Sequence, residues 1–203
     1  MGMKVKILVL AVVLSLGTAT VTLLFPEKSV RHEPGILCPD EPDQGEADRG
    51  PWLAGDYMIT PLASFDARVL VLHRENYHFG KESDLSPTDL AVGWGSMSNQ
   101  AVVDCFSISQ GHRRFSWSAD VLPIPRRSIE SSASNMHIIP ASEDVSQTLD
   151  NVCTGSIVRM KGYLVKVTEG SRWSWVSSLR RTDTGDGACE VVWVDTLQIE
   201  NPS

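Results

Sequence analysis

The chain has 203 residues, with 18 basic against 25 acidic side chains and a formal net charge of −7 at pH 7. Setting aside Lys4 and Lys6 leaves 16 against 25, about −9, a balance that argues against a general nucleic-acid or anionic-lipid surface. The length suits one ordinary domain, and four cysteines without a Cys-x-x-Cys spacing offer no zinc or redox motif.

The first six residues are basic and hold no acid, and residues 7–25 then run 19 positions without a charge. As a helix that run is about 28 Å long, close to the ~30 Å hydrocarbon layer of a bilayer. Lys4 and Lys6 favour a cytoplasmic N-terminus, which places the remainder across the membrane. Gly17 and Ala19 would also suit signal cleavage, but apolar residues continue through Phe25 and favour a retained anchor at 1–25. Both readings export the rest of the chain.

Residues 26–51 hold Pro26, Pro34, Pro39, Pro42 and Pro51 among glycines and acids, and read as a mobile linker. A β-rich domain is expected over 52–199, with a tail at 200–203. Residues 65–73 are rich in β-formers and predict a strand. Ser86 as N-cap with Pro87 in the first turn predicts a short helix through Leu90–Val92, stopped by Gly93 and Gly95. Residues 101–105 suit another helical turn. Strands follow at 106–109 and 113–118 around a Gln110-Gly111 turn, with Phe115 and Trp117 on one face.

Pro123 and Pro125 make 121–134 mostly loop, and 136–139 is a short strand closed by Pro140. The clearest helix starts at Ser142 as cap, has Glu143 and Asp144 at its positive end, and carries Val145, Leu149, Val152 and Cys153 as one apolar stripe. Three strands end the domain: 156–167 bent at Gly162, then 172–180 and 188–199 joined as a hairpin by the turn at 183–187. The pattern predicts a mainly β fold with minor α, a small antiparallel barrel or half-open barrel preceded by one transmembrane helix. Its C-terminal half has an OB-like order of strand, helix, bent strand and hairpin.

Residues 85–97 (LSPTDLAVGWGSM), 135–141 (NMHIIPA) and 181–190 (RTDTGDGACE) resemble segments of bacterial single-pass membrane-anchored proteins of unknown function. The resemblance spans most of the exported domain. It implies a bacterial source and no activity, and for such a source the anchor read at 1–25 is expected in the inner membrane with the domain on the periplasmic side.

Cys38, Cys105, Cys153 and Cys189 all follow the anchor, so an oxidising compartment permits up to two disulfides in three pairings, with buried free thiols as the alternative. Asp183-Thr184-Gly185 matches the aspartic-protease tripeptide, yet Arg180 and Arg181 stand where an apolar strand is required, so a turn is the better reading. Asp183 and Asp186 alone do not make a calcium shell. His73, Glu75 and His78 are close in sequence, but only the first two share a strand face, which suits a solvated strand end better than a metal site. Asn135, His137 and Cys189 raise a thiol-nucleophile reading, set against a Cys189 that opens a strand instead of a helix. Trp173 and Trp175, with Arg180 and Arg181, form an aromatic and basic set that serves either a barrel core with wet arginines or a binding face.

Two functions from different classes are therefore expected. The favoured one is a membrane-tethered extracytoplasmic binding or scaffold module, held by residues 7–25 and contacting an envelope protein or polymer through Trp173, Trp175, Arg180 and Arg181. The other is a small envelope hydrolase using His137 with Cys189 or an Asp such as Asp183. No coherent catalytic set supports the second, and no cofactor, metal or nucleic-acid partner is implied.

Overall fold

The computed structural model describes residues 28–171, 173–180 and 188–200. The run at 7–25, the turn at 183–187 with Arg181, and residues 201–203 lie outside them. Among the described residues no helix is long and apolar enough to cross a membrane. The elements run β1 (Asp43–Gly45), β2 (Trp52–Ala54), β3 (Tyr57–Asn76), β4 (Thr88–Gly93), α1 (Gln100–Val103), β5 (Ser107–Gly111) and β6 (Arg114–Ser118). After them come α2 (Arg126–Glu130), β7 (Ala133–Pro140), α3 (Glu143–Asp150), β8 (Ile157–Glu169), β9 (Trp173–Val176) and β10 (Glu190–Glu200). The chain is mainly β.

β3 is twenty residues long, and its alternation places Ala63, Phe65, Ala67 and Val69 inside with Ser64, Asp66 and Arg68 outside. It serves two neighbours. Met58–Leu70 pairs with β8, and Leu70–Asn76 pairs with β4, with register shifts at Pro61/Ala63 and Val71/His73 that let it bend. β4 pairs with β7, β7 with β10, and β10 with β8, so five strands form a closed circuit of pairings. Every pair in the circuit is antiparallel except β7–β10. Phe65, Val69, Leu90, Met136, Leu164 and Val192 fill its interior, and Val145 and Leu149 of α3, with Val152 just past its end, pack into the same core. As expected, Ser142 caps α3 by accepting the Val145 N–H at 3.3 Å.

Several expectations need correction. The helix expected from Ser86 is instead β4, whose six residues are all buried between β3 and β7. A short apolar run buried on both faces has no periodicity that tells strand from helix, and a Ser-Pro start signal loses to two hydrogen-bonded ladders. The 121–134 segment contains α2, and β7 begins at Ala133, earlier than Pro140 alone suggests. The β5–β6 hairpin turns at His112 and Arg113, two residues beyond Gln110-Gly111. The last two strands do not pair with each other. β9 and β10 follow one another along the same edge of β8, β9 against Lys166–Glu169 and β10 against Ile157–Leu164.

Residues 28–51 are no mobile linker either. The Val30 N–H bonds Thr154 O at 2.9 Å, Gly95 N–H bonds Cys38 O at 2.7 Å, and β1 pairs with β3. Cys38 is fully buried, beneath Leu37 and against Leu70 and Met97. Composition misleads here because the strap is fastened mainly through backbone and polar groups, which need no apolar side chains. All four cysteines are free thiols, so none of the three disulfide pairings is formed.

β8 runs without a break through Gly162, and the irregularity lies opposite it, between Val194 and Thr196 of β10. A Cβ at Gly162 would lie 1.9 Å from the Trp193 carbonyl oxygen. Gly162→Ala is therefore expected to destabilise the protein by about 3 kcal/mol, read as a lower urea midpoint at unchanged slope. A variant as stable as the parent would mean that the two backbones can separate there.

Candidate functional site

Alternation along β4 and β7 sends Leu90, Val92, Met136 and Ile138 into the core, leaving Asp89, Asn135 and His137 on the opposite face. Register sets Asp89 directly across from His137, and Ala91 across from Asn135. That outer face is not open to solvent. The β5–β6 hairpin and β9 lie over it, and Asp89, Asn135 and His137 are all buried.

Arg113, at the hairpin tip, reaches down to Asp89. Its Nη1 donates to Asp89 Oδ1 at 2.7 Å and to Ser86 O at 2.8 Å, its guanidinium stacks 4.0 Å from the Tyr77 ring, and Trp175 lies 5.7 Å away. His112 and Arg113 both adopt left-handed backbone, at φ +51° and +64°, in a two-residue turn of the type that asparagine and glycine usually supply. Two such side chains cost about 1–2 kcal/mol each, so the turn is held by what Arg113 binds.

Asp89 Oδ2 lies 3.0 Å from His137 Nδ1, without the angle of a hydrogen bond, and 3.4 Å from Asn135 Nδ2. Asn135 accepts from Gln110 Nε2 at 2.6 Å, and Gln110 Oε1 meets His73 Nδ1 at 2.9 Å. His73 is thereby a rung of this network. Among the described residues no three His, Cys, Asp or Glu side chains gather as a metal site.

Cys189 closes the network. Its thiol faces the Arg113 carbonyl at 3.6 Å and receives Asn135 Nδ2 at 3.9 Å. Burial, and next the adjacent Glu190 carboxylate, push this thiol up to about 11, so it stays protonated near neutrality. No hydrogen bond joins Cys189 to His137 among the described residues. His137 is 3 % exposed, turned to Asp89 and covered by the Trp175 ring at 4.7 Å. An acid–base group must touch its substrate, and this one is sealed in.

Beside the network opens a cleft of about 370 Å³ between β6, α2 and the first residues of β7 and β10. Asn135 and Cys189 form its shared wall with the network, and Arg114, Trp117, Arg126 and Arg180 stand around it. Arg126 lies 4.9 Å over the Trp117 ring and pairs with Glu130 at 3.3 Å. Glu190, fully buried at the inner edge, takes the Ser134 hydroxyl.

The structure thus brings together His137, Cys189 and Trp175 in one neighbourhood, with Arg180 on the cleft rim. Trp173 and Trp175 are half-buried packing residues; Trp173 lies against Tyr57 at 5.9 Å, with Lys81 Nζ 5.3 Å from its ring. Arg181 and Asp183 lie outside the described residues. Sequence reading assigns no functional role to Asp89 or Gln110. Only the strand register of β4 against β7 places Asp89 opposite His137. Comparison with protein-family models, with curated proteins and with solved structures finds no match.

Removing one partner of a buried ion pair strands the other charge, so Asp89→Ala is expected to cost about 3 kcal/mol, with Asp89→Leu/Arg113→Met recovering most of it. Equal losses from the single and double variants in chemical denaturation would contradict this coupling. Burial raises Cys38 as well as Cys189 from 9.0 to about 11. Between these values the unfolded chain has lost both thiol protons while the native state keeps them, so stability is full below pH 9 and falls as pH rises toward 11. Melting temperatures should fall across that window, and less so in Cys38→Ala.

Proposed function

We propose that the chain is a bacterial membrane-tethered binding module, with residues 7–25 in the inner membrane and the β-domain on the periplasmic side. In this reading the cleft takes an anionic segment of an envelope protein or polymer. The circuit order β3–β4–β7–β10–β8, with one parallel pair and a helix between its third and fourth strands in sequence, supports reading the domain as an OB-type barrel. Such barrels bind ligands on the face of their second and third strands and through the loops joining strands one to two and four to five. Here those strands are β4 and β7, whose outer face the β5–β6 hairpin and β9 cover except at Ala133–Asn135, where the cleft opens beside Arg180 and Cys189 of the segment from β8 to β10.

The observation that carries the proposal is the cleft. Three guanidinium groups, against the carboxylates of Glu130 and the buried Glu190, stand around Trp117 and Phe115 in a recess of a chain whose net charge is −7. Locally basic, aromatic-lined concavity suits carboxylates on a chain with flat apolar parts, through charge-assisted hydrogen bonds and ring contact. The global acidity disfavours a nucleic-acid polymer. Against hydrolysis stand a thiol held protonated and a histidine without access.

Tagged full-length protein, extracted from its own membranes in mild detergent, is expected to retain a partner in stoichiometric amount. Arg126→Glu/Arg180→Glu, two exposed positions on the cleft, should lose it by about tenfold or more. Equal recovery with parent and variant, or none with either, would overturn the proposal.

A further inference from the structure

Only residues 26–28 separate the hydrophobic run ending at Phe25 from Ser29, the first residue paired to the domain. Fully extended, the chain from Phe25 to Ser29 spans about 14 Å, whereas a free stretch of 26–51 would span roughly 90 Å. The headgroup layer alone takes up about 5–7 Å of the shorter reach.

Ser29 and its successors are firmly placed. Ser29 bridges to Thr154, Val30 N–H bonds Thr154 O at 2.9 Å, and His32 Nε2 meets Gly155 O at 2.7 Å. Arg31 grips Asp104 with two bonds, at 3.0 and 2.5 Å, and Gly35 N–H bonds Asn99 Oδ1 at 3.1 Å. Gly155, at φ +85°, lets the strap approach so closely that a Cβ there would sit 1.7 Å from the Val30 carbonyl oxygen. Three residues are therefore all the covalent length between that run and the fastened strap.

We propose that the domain is seated directly on the bilayer, with the pole carrying Lys28, Arg74, Asp150, Asn151 and Thr154 against the lipid headgroups. This rests on reading residues 7–25 as a retained anchor. The pole has the chemistry of a headgroup contact. A shallow cavity of about 330 Å³ opens there between Lys28, Arg74 and Asn151, and the buried Arg74 Nε has no hydrogen-bond partner in it. Arg74 faces Asp150 at 3.7 Å, so charges nearly balance. Apart from Val152 and Cys153, the residues lining that cavity are polar or charged, as suits a headgroup contact. The short covalent connection sets the seating, and charge attraction does not.

The test uses the full-length protein in phosphatidylcholine vesicles containing a headgroup-labelled acceptor lipid. Donor fluorophores are placed at Asn151→Cys or at Leu53→Cys, with Cys105→Ser and Cys153→Ser in both. Leu53 pairs with Met58, at the end of β3 away from the strap. Energy transfer from position 151 should exceed that from 53 by about twofold or more, and should survive a roughly tenfold rise in salt. A roughly twenty-residue Gly/Ser insert between Glu27 and Lys28 should bring the two positions level. Equal transfer without the insert, or no response to it, in protein that resists alkaline carbonate would overturn the seating and leave the anchor standing. Release of the protein by carbonate would overturn both.

Discussion

β3 pairs with β8 through its first part and with β4 through its last, and this double duty closes the strand circuit. The circuit gives β4 and β8 hydrogen-bonded neighbours on both sides, and does the same for Glu190–Val194 of β10. It also sorts side chains strictly into an inner apolar set and an outer set. The irregularities at Pro61/Ala63, Val71/His73 and Val194/Thr196 are where the sheet absorbs its curvature. Gly162 belongs with them, since only a residue without Cβ admits the Trp193 carbonyl.

That sorting explains an apparent waste. Asp89, Asn135 and His137 are polar, lie on the outer side of the circuit and are nonetheless buried, because the β5–β6 hairpin and β9 cover them. A buried ion pair is a weak source of net stability, since desolvation offsets most of the attraction. Its value here is placement. Arg113 holds a hairpin tip that its own backbone angles disfavour, and the covered face leaves the neighbouring cleft as the accessible concavity. In the binding function proposed above, recognition would fall to Arg114, Trp117, Arg126 and Arg180, with the Asp89–Arg113 pair behind them as a support.

The strap of residues 28–42 has a similar logic. Proline, glycine and acids cannot make a core, but they can lie on one that already exists. Arg31 to Asp104, Gly35 to Asn99 and Cys38 to Ser98 are polar fastenings to residues 98–104, themselves fixed by the fold. Sequence composition reports whether a segment can fold alone, and this one has no need to.

Read alone, the sequence determined the mainly β character, the α3 helix with its Ser142 cap and the shared face of Phe115 and Trp117. Each depends on neighbours within a few positions: a side-chain cap or an apolar period. The tertiary structure alone decided that 88–93 is a strand, that β9 and β10 share an edge of β8, that the proline-rich segment is fastened down, and that Asp89 meets Arg113 and His137. Those outcomes turn on which segments pair in the fold, as Asp89 does with Arg113 and Ser29 with Thr154. Local propensity is worth tenths of a kilocalorie per residue and gives way when a ladder, a buried face or a stranded charge is at stake.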